Sequence, residues 1–202
     1  MISFLITLVL SQSQHQPKPW PKQFFAIISR NTTNVITGKK FPWEANHKWY
    51  DYDFLATKNE CSVKGWTVTN LMIGKEVWNY NVGTQECVYS TIPVPIVRPD
   101  WMVGGDYIGR EIINGAECDC WNKEDHIYCE DILSQKTKRV FTPFVPVSLT
   151  KNQEDYATFI EGEFDRSIFQ IPSYCKNETD INNNRRKGDA PIYCWELEIP
   201  IE

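Results

Sequence analysis

Residues 117–129 read ECDCWNKEDHIYC. Two β-prone runs, AECDCWN and HIYCEDI, flank the polar turn KEDH, which is the pattern of a hairpin. With the turn at Glu124-Asp125, Cys120 falls opposite Cys129 and Trp121 opposite Tyr128. Side chains alternate along a strand, so Cys118 and Cys120 share one face and Cys129 is within reach of either. The same stretch holds the side chains of a zinc site, Cys118, Cys120, His126 and Cys129. His126, near the turn apex, points away from the plane of Cys120 and Cys129, which spoils a tetrahedral set. A catalytic C-x-C pair is disfavoured too, because no helix N-terminus stands nearby to lower a thiol pKa. In an oxidising compartment the stretch is a hairpin with one local disulfide.

The rest of the chain points to that compartment. ISFLITLVL, residues 2–10, is too short to span a bilayer as a helix but matches the apolar region of a signal peptide. Ser11 and Ser13 suit cleavage after Ser13, so residues 1–13 are expected to be a leader and 20–202 a single β-rich domain. Asn31-Thr32-Thr33 and Asn177-Glu178-Thr179 are glycosylation sequons. Seven cysteines in an exported chain favour disulfides, with one thiol left over.

Composition narrows the function classes. The 202 residues are 42% hydrophobic and include eight Trp, enough for a packed core. The net charge of −5 argues against nucleic acid as a partner, which needs a clustered positive field. The basic run NNNRRKGD, 182–189, has no interleaved aromatics and reads as a solvated loop. No later segment is apolar enough for a transmembrane helix.

Along the chain, short β-rich runs alternate with turn chemistry. QFFAIIS (23–29), SVKGWTVTNLMI (62–73), EVWNYNV (76–82), KRVFTPFVPVSL (138–149) and DYATFIEGEF (155–164) are such runs. DYIGREI ends at Asn114-Gly115, a hairpin signal. Pro93 and Pro95 place the end of CVYSTIPVPIV at an edge or bulge. EDILSQKTKR (130–139) suits one or two helical turns or a hairpin loop. Helical periodicity is otherwise almost absent, so the expected fold is all-β, a curved antiparallel sheet or half-open barrel. Such sheets hold ligands on their inner face, and the candidate lining residues are Trp66, Trp78, Trp101, Tyr107, Trp121, Phe141 and Phe159. Packing of an ordinary core explains the same aromatics equally well.

Catalytic patterns are missing: no nucleophile elbow, no glycine-rich phosphate loop, no H-E-x-x-H, and nothing that implies a cofactor. His47 lies near Asp51 and Asp53 at a polar strand end. Glu154, Asp155, Glu161, Glu163 and Asp165 offer carboxylates for glycan hydrolysis, with Glu161 and Glu163 on one face if the run is extended. A calcium site among the acidic residues has no loop motif behind it.

Two groups of phrases carry a resemblance. QECVYSTIPV and the later DRSIFQIPSYC resemble the ependymin-related proteins. WPKQFFAII, WYDY, VRPDWMVGGDYIG, GAECDCW and YCED more strongly resemble small secreted proteins of plants and protists, often loosely labelled as transferring glycosyl groups. Together they cover Trp20 to about Cys175. The resemblance implies a curved antiparallel sheet around a deep apolar pocket, similar to the LolA-like lipoprotein carriers of the bacterial periplasm. It implies non-enzymatic binding of a lipid or other hydrophobic ligand, often as a homodimer. It also implies the disulfides Cys87–Cys175 and Cys61–Cys194, leaving Cys120 with Cys129 and Cys118 as the free thiol. The plant and protist relatives have a cysteine matching Cys118 but none matching Cys120 and Cys129.

The expectation is therefore a secreted, disulfide-stapled carrier. The alternatives are an extracellular structural or adhesion glycoprotein with a filled core, and a glycan-acting enzyme with two carboxylates facing one cleft.

Overall fold

A computed structural model describes residues 16–42, 45–63, 66–93, 95–145 and 149–175. Twelve strands form one antiparallel sheet: β1 (Gln23–Asn34), β2 (Lys40–Pro42), β3 (Ala45–Asp51), β4 (Ala56–Val63), β5 (Trp66–Ile73), β6 (Glu76–Asn81), β7 (Glu86–Thr91), β8 (Asp106–Ile113), β9 (Ala116–Lys123), β10 (His126–Asp131), β11 (Thr137–Val145) and β12 (Thr150–Glu161). The order is β7-β6-β5-β4-β3-β1-β12-β11-β10-β9-β8, with β2 attached to β1. The sheet is curved and does not close. The two helical pieces among the described residues are single 3₁₀ turns, Arg166–Phe169 and Ser173–Cys175.

Two meanders, β3 to β7 and β8 to β12, thus flank the central strand β1. Local chemistry makes the hairpins. Asn114 and Gly115 both have positive φ (50° and 81°), as do Glu124 and Asp125 (51° and 65°). Such turns match the twist of the strands they join. The second turn aligns Tyr128 with Trp121 and Cys129 with Cys120. Within 130–139 the loop that joins β10 to β11 closes as a single turn: Gln135 N donates to Asp131 O at 2.7 Å, and the Asp131 carboxylate accepts from the Leu133 and Ser134 amides. β3 stops at Asp51 and β12 at Glu161, so Glu163 shares no strand face with Glu161.

From edge strand β7 the chain returns to the opposite edge, β8, and residues 95–105 of this return cross the inner face. This strap and Trp20 cover an aromatic core. Phe24, Ala26 and Ile28 alternate inward along β1, and Tyr50, Trp121, Tyr128, Val140, Tyr156 and Phe159 join them from neighbouring strands. Phe24 stacks on Phe159 at 4.5 Å and on Tyr50 at 4.9 Å, while Trp20 meets Phe24 edge-on at 5.3 Å. Ile96 and Met102 enter this core from the strap. Hydrogen bonds fasten it: Trp20 N to Pro99 O (2.9 Å), Tyr50 Oη to Val97 O (2.7 Å) and Lys123 Nζ to Trp101 O (2.7 Å).

The outer face carries two further clusters. On β4 to β7, Ala56, Leu71, Trp78, Tyr80 and Cys87 pack under the segment that holds Phe169 and Cys175. The Cys87–Cys175 disulfide closes that lid, and Arg166 Nε donates to the fully buried Asp51 carboxylate at 2.7 Å. On β8 to β10, Ile113, Cys118, Cys120 and Cys129 form a smaller cluster, in which Cys120 is bonded to Cys129 and Cys118 is a buried free thiol.

Candidate functional site: a cavity under the strap

A cavity of about 340 Å³ lies between the strap and the inner face of the sheet. Val97 and Trp101 of the strap form its roof with Trp20, and Val140 forms an apolar wall. Asn59 and Asn70, paired across β4 and β5, line one side; Thr142 and Asn152, paired across β11 and β12, line the other. His126 stands beside Trp101, ring centroids 6.1 Å apart.

The floor is charged. Arg30 of β1 faces Glu154 of β12 in direct register and is ion-paired to it, and Lys48 of β3 reaches Glu154 Oε2 at 3.1 Å. Tyr156 donates to the same oxygen at 3.1 Å. Lys48 Nζ also lies 5.6 Å from the centroid of the Trp20 ring and 5.8 Å from that of Tyr156, so the ammonium rests between aromatic faces. Burial alone would push the Glu154 carboxyl up; the attraction of Lys48 and Arg30 outweighs it and holds the group down at about 2. Burial raises the Tyr156 phenol well above its ordinary value, and the Glu154 charge adds to the rise. Arg30 Nε and Asn152 Oδ1 are buried without a hydrogen-bond partner, and so are both polar atoms of Asn46, deeper on the same face.

Chemically this is a cavity with an apolar roof and a charged floor. Glu154 is the one carboxylate among the described lining residues, and three donors occupy it. Glycan hydrolysis needs two carboxylates across one cleft. The cluster Glu111, Cys120, Cys129 has metal-ligating atoms close together, but both sulfurs are tied up in the disulfide and supply no thiolate.

Of the residues singled out in the sequence, Trp101 lines the cavity. Trp121 and Phe159 lie in the inner core beside it, and Trp121 has no exposed surface. Tyr107 is 46% exposed on edge strand β8, its hydroxyl bonded to Asp119 at 2.8 Å. Trp78 belongs to the outer cluster, and Phe141 alternates with Val140 and so takes the other face of β11. The side chain of Trp66 lies outside the described residues, as do residues 1–13, Asn177 and Cys194. Cys61 is disulfide-bonded, on the inner face of β4 opposite Asn46 and Val68. Asn31 is exposed on β1.

Sequence reasoning overlooked the floor. Its signal was present: in FFAIISR the inward parity runs Phe24, Ala26, Ile28 and then Arg30, a charge at a core position. Lys48 shares parity with Tyr50, and Glu154 with Tyr156.

Solved structures similar to the chain include an uncharacterized conserved protein of Thermus thermophilus, with 10% identity and a TM-score of 0.50 over 76% of this chain and 87% of that one. At that identity the likeness is one of fold. A LolA superfamily protein of Nitrosomonas europaea matches at 9% identity and TM-score 0.41, over 76% and 93% of the two chains. A DUF1329 family protein of Desulfovibrio piger matches at 9% and 0.35, over 74% and 90%. No curated protein matches the chain. No helix among the described residues is long and apolar enough to cross a membrane. Residues 19–175 match the model of a family described as a domain of unknown function, DUF8395, and the chain belongs to that family.

Proposed function

We propose that the protein is a secreted, non-enzymatic binding protein for a lipid or other largely hydrophobic molecule, held in the cavity under the strap. The observation that carries this reading is the cavity itself: about 340 Å³, roofed by Trp20, Val97 and Trp101. That volume falls within the range of roughly 300–1,000 Å³ usual for small-molecule sites. The disulfides Cys87–Cys175 and Cys120–Cys129, together with the leader expected at 1–13, support an exported protein. The engaged state of Glu154 supports binding over catalysis.

The reading includes a homodimer joined through β8. Its outer edge has no strand partner among the described residues, and Ile108 and Ile112 are 49% and 80% exposed. Light scattering of the purified protein reads the dimer directly.

Binding is tested by titrating tryptophan fluorescence with single-chain amphiphiles and by native mass spectrometry of secreted material. Trp20 and Trp101 report from the cavity roof, so a saturable change in emission is expected. An unchanged spectrum with neutral, anionic and cationic amphiphiles, and no bound mass, returns the protein to the alternative: an adhesion or structural glycoprotein with a filled core.

A further inference from the structure

The reading above names a hydrophobic ligand, but the cavity floor is not hydrophobic. We infer that the ligand enters head-first and that its head is a carboxylate, seated between Lys48 and Arg30, with one alkyl chain of about ten carbons running under Trp20 and Trp101. This inference rests on the binding function proposed above and assigns the chemical class of its ligand.

The charges on the floor do not cancel. Arg30 and Lys48 are cations with side chains 8% and 15% exposed, and Glu154 alone opposes them. One positive charge is left over in a partly desolvated site, where an unpaired charge is costly and an anion is favoured. Donors are also in excess. The Lys48 ammonium has three N–H groups and uses two of them, on Glu154 Oε2 and on the Tyr156 hydroxyl at 3.3 Å. Arg30 commits Nη2 to Glu154, whereas its Nε is buried and has no partner. Glu154 already accepts from Arg30, Lys48 and Tyr156, which leaves it about one free acceptor site for these protons. A ligand oxygen bearing one negative charge meets both needs, and a carboxylate brings two acceptor oxygens. Asn152, with Oδ1 buried and unmet, presents a third donor when its amide turns over.

The strap side is apolar. Trp20, Val97 and Trp101, with Val140 beside Glu154 on the sheet, give an alkyl chain its contacts. Size sets the length: a water-sized group takes about 30 Å³ of liquid, so a cavity of about 340 Å³ holds roughly eleven non-hydrogen atoms. A single chain of about ten carbons fills that volume.

The test is a head-group series on the wild-type protein at neutral pH: decanoate, 1-decanol, decyltrimethylammonium and decyl phosphate, each titrated by tryptophan fluorescence and calorimetry. Decanoate is expected to bind about tenfold or more tighter than decanol, and the cation weakest of all. Lys48→Met is expected to abolish the preference for decanoate over decanol. If that variant does not fold, the wild-type series decides alone. Equal affinity for decanoate and decanol, or a preference for the cation, overturns the head-group assignment and leaves the carrier function standing. Tighter binding of decyl phosphate than of decanoate overturns the carboxylate in favour of a phosphate ester. No response to any of the four overturns the carrier function with it.

Discussion

Lys48 Nζ lies 3.1 Å from Glu154 Oε2, reaching past β1 from β3 to β12 to the carboxylate that Arg30 also holds. The pair ties the two meanders together across the central strand, and its strength depends on the Glu154 charge. In the fold that carboxyl is held down at about 2, against an ordinary 4.5. A group whose folded value is depressed contributes its full stabilisation above the unfolded value and loses it as pH falls towards the folded one. The wild-type melting temperature is therefore expected to fall between pH 4.5 and 2 more steeply than that of Glu154→Gln. At neutral pH, Glu154→Gln leaves Arg30 and Lys48 without a counter-charge and is expected to cost about 3 kcal/mol or more. Melting curves of both proteins across that range check the sign and the window.

Trp101 and Trp121 separate binding from packing. Trp101 is partly buried in the strap and lines the cavity, whereas Trp121 is fully buried between Tyr107 and Tyr128. Trp121→Ala is expected to cost about 3–5 kcal/mol of stability, the usual result of removing a large buried ring. Trp101→Ala removes a roof contact over the ligand, so it is expected to weaken amphiphile binding by about tenfold at a smaller cost in stability. Denaturant melts beside fluorescence or calorimetric titrations distinguish the two. Equal losses of stability in both variants would make the strap part of the core.

Two of the disulfides, Cys87–Cys175 and Cys120–Cys129, predict different penalties because they close different loops. Cys87–Cys175 spans 88 positions and pins the outer lid, whereas Cys120–Cys129 spans nine within one hairpin. By loop entropy, the double replacement Cys87→Ala/Cys175→Ala is expected to cost about 4–5 kcal/mol, and Cys120→Ala/Cys129→Ala about 2–3 kcal/mol. The long bond acts with the Arg166–Asp51 contact, so Arg166→Ala is expected to loosen the lid further in the protein lacking Cys87–Cys175. Equilibrium unfolding of the variants measures both terms.

The strands were legible because their turns were. Asn114-Gly115 and Glu124-Asp125 each fix a two-residue hairpin, and such a turn sets the register of everything between it and the next turn. The cavity was much less legible, because alternation says which residues share a face but not which face is covered and by what. Trp78 and Trp101 look equally suited to a pocket in the sequence. The lid holding Phe169 takes the first and the strap carries the second, and both placements depend on contacts between residues far apart in the chain. The charged floor fared worst. Arg30, Lys48 and Glu154 lie more than a hundred residues apart at the extremes, and only the pairing of β1 with β3 and β12 brings them together. A charge at an inward-facing position was the available clue, and ordinary strand edges produce the same pattern.

Cys118 is expected to be inert in the folded protein. Its side chain has no exposed surface, its Sγ donates to Ala116 O at 3.4 Å, and burial, followed by the nearby Asp131 charge, pushes the thiol above its ordinary range. The thiolate is the reactive form, so iodoacetamide at neutral pH should leave the native protein unlabelled and add one group after unfolding. Cys120→Ser sharpens the test. It strips Cys129 of its partner, and Cys118, on the same face of β9, is then the nearest thiol on that strand. Cys118 stands opposite Asp131, two positions out of register with Cys129. Diagonal neighbours across a hairpin lie about 7–8 Å apart, at or past the reach of a disulfide without backbone movement. Unfolded Cys120→Ser should therefore label at two positions, Cys118 and Cys129. A single label would mean that the hairpin shifts far enough to bring Cys118 to Cys129, and peptide mapping of the bonded pair identifies that shift.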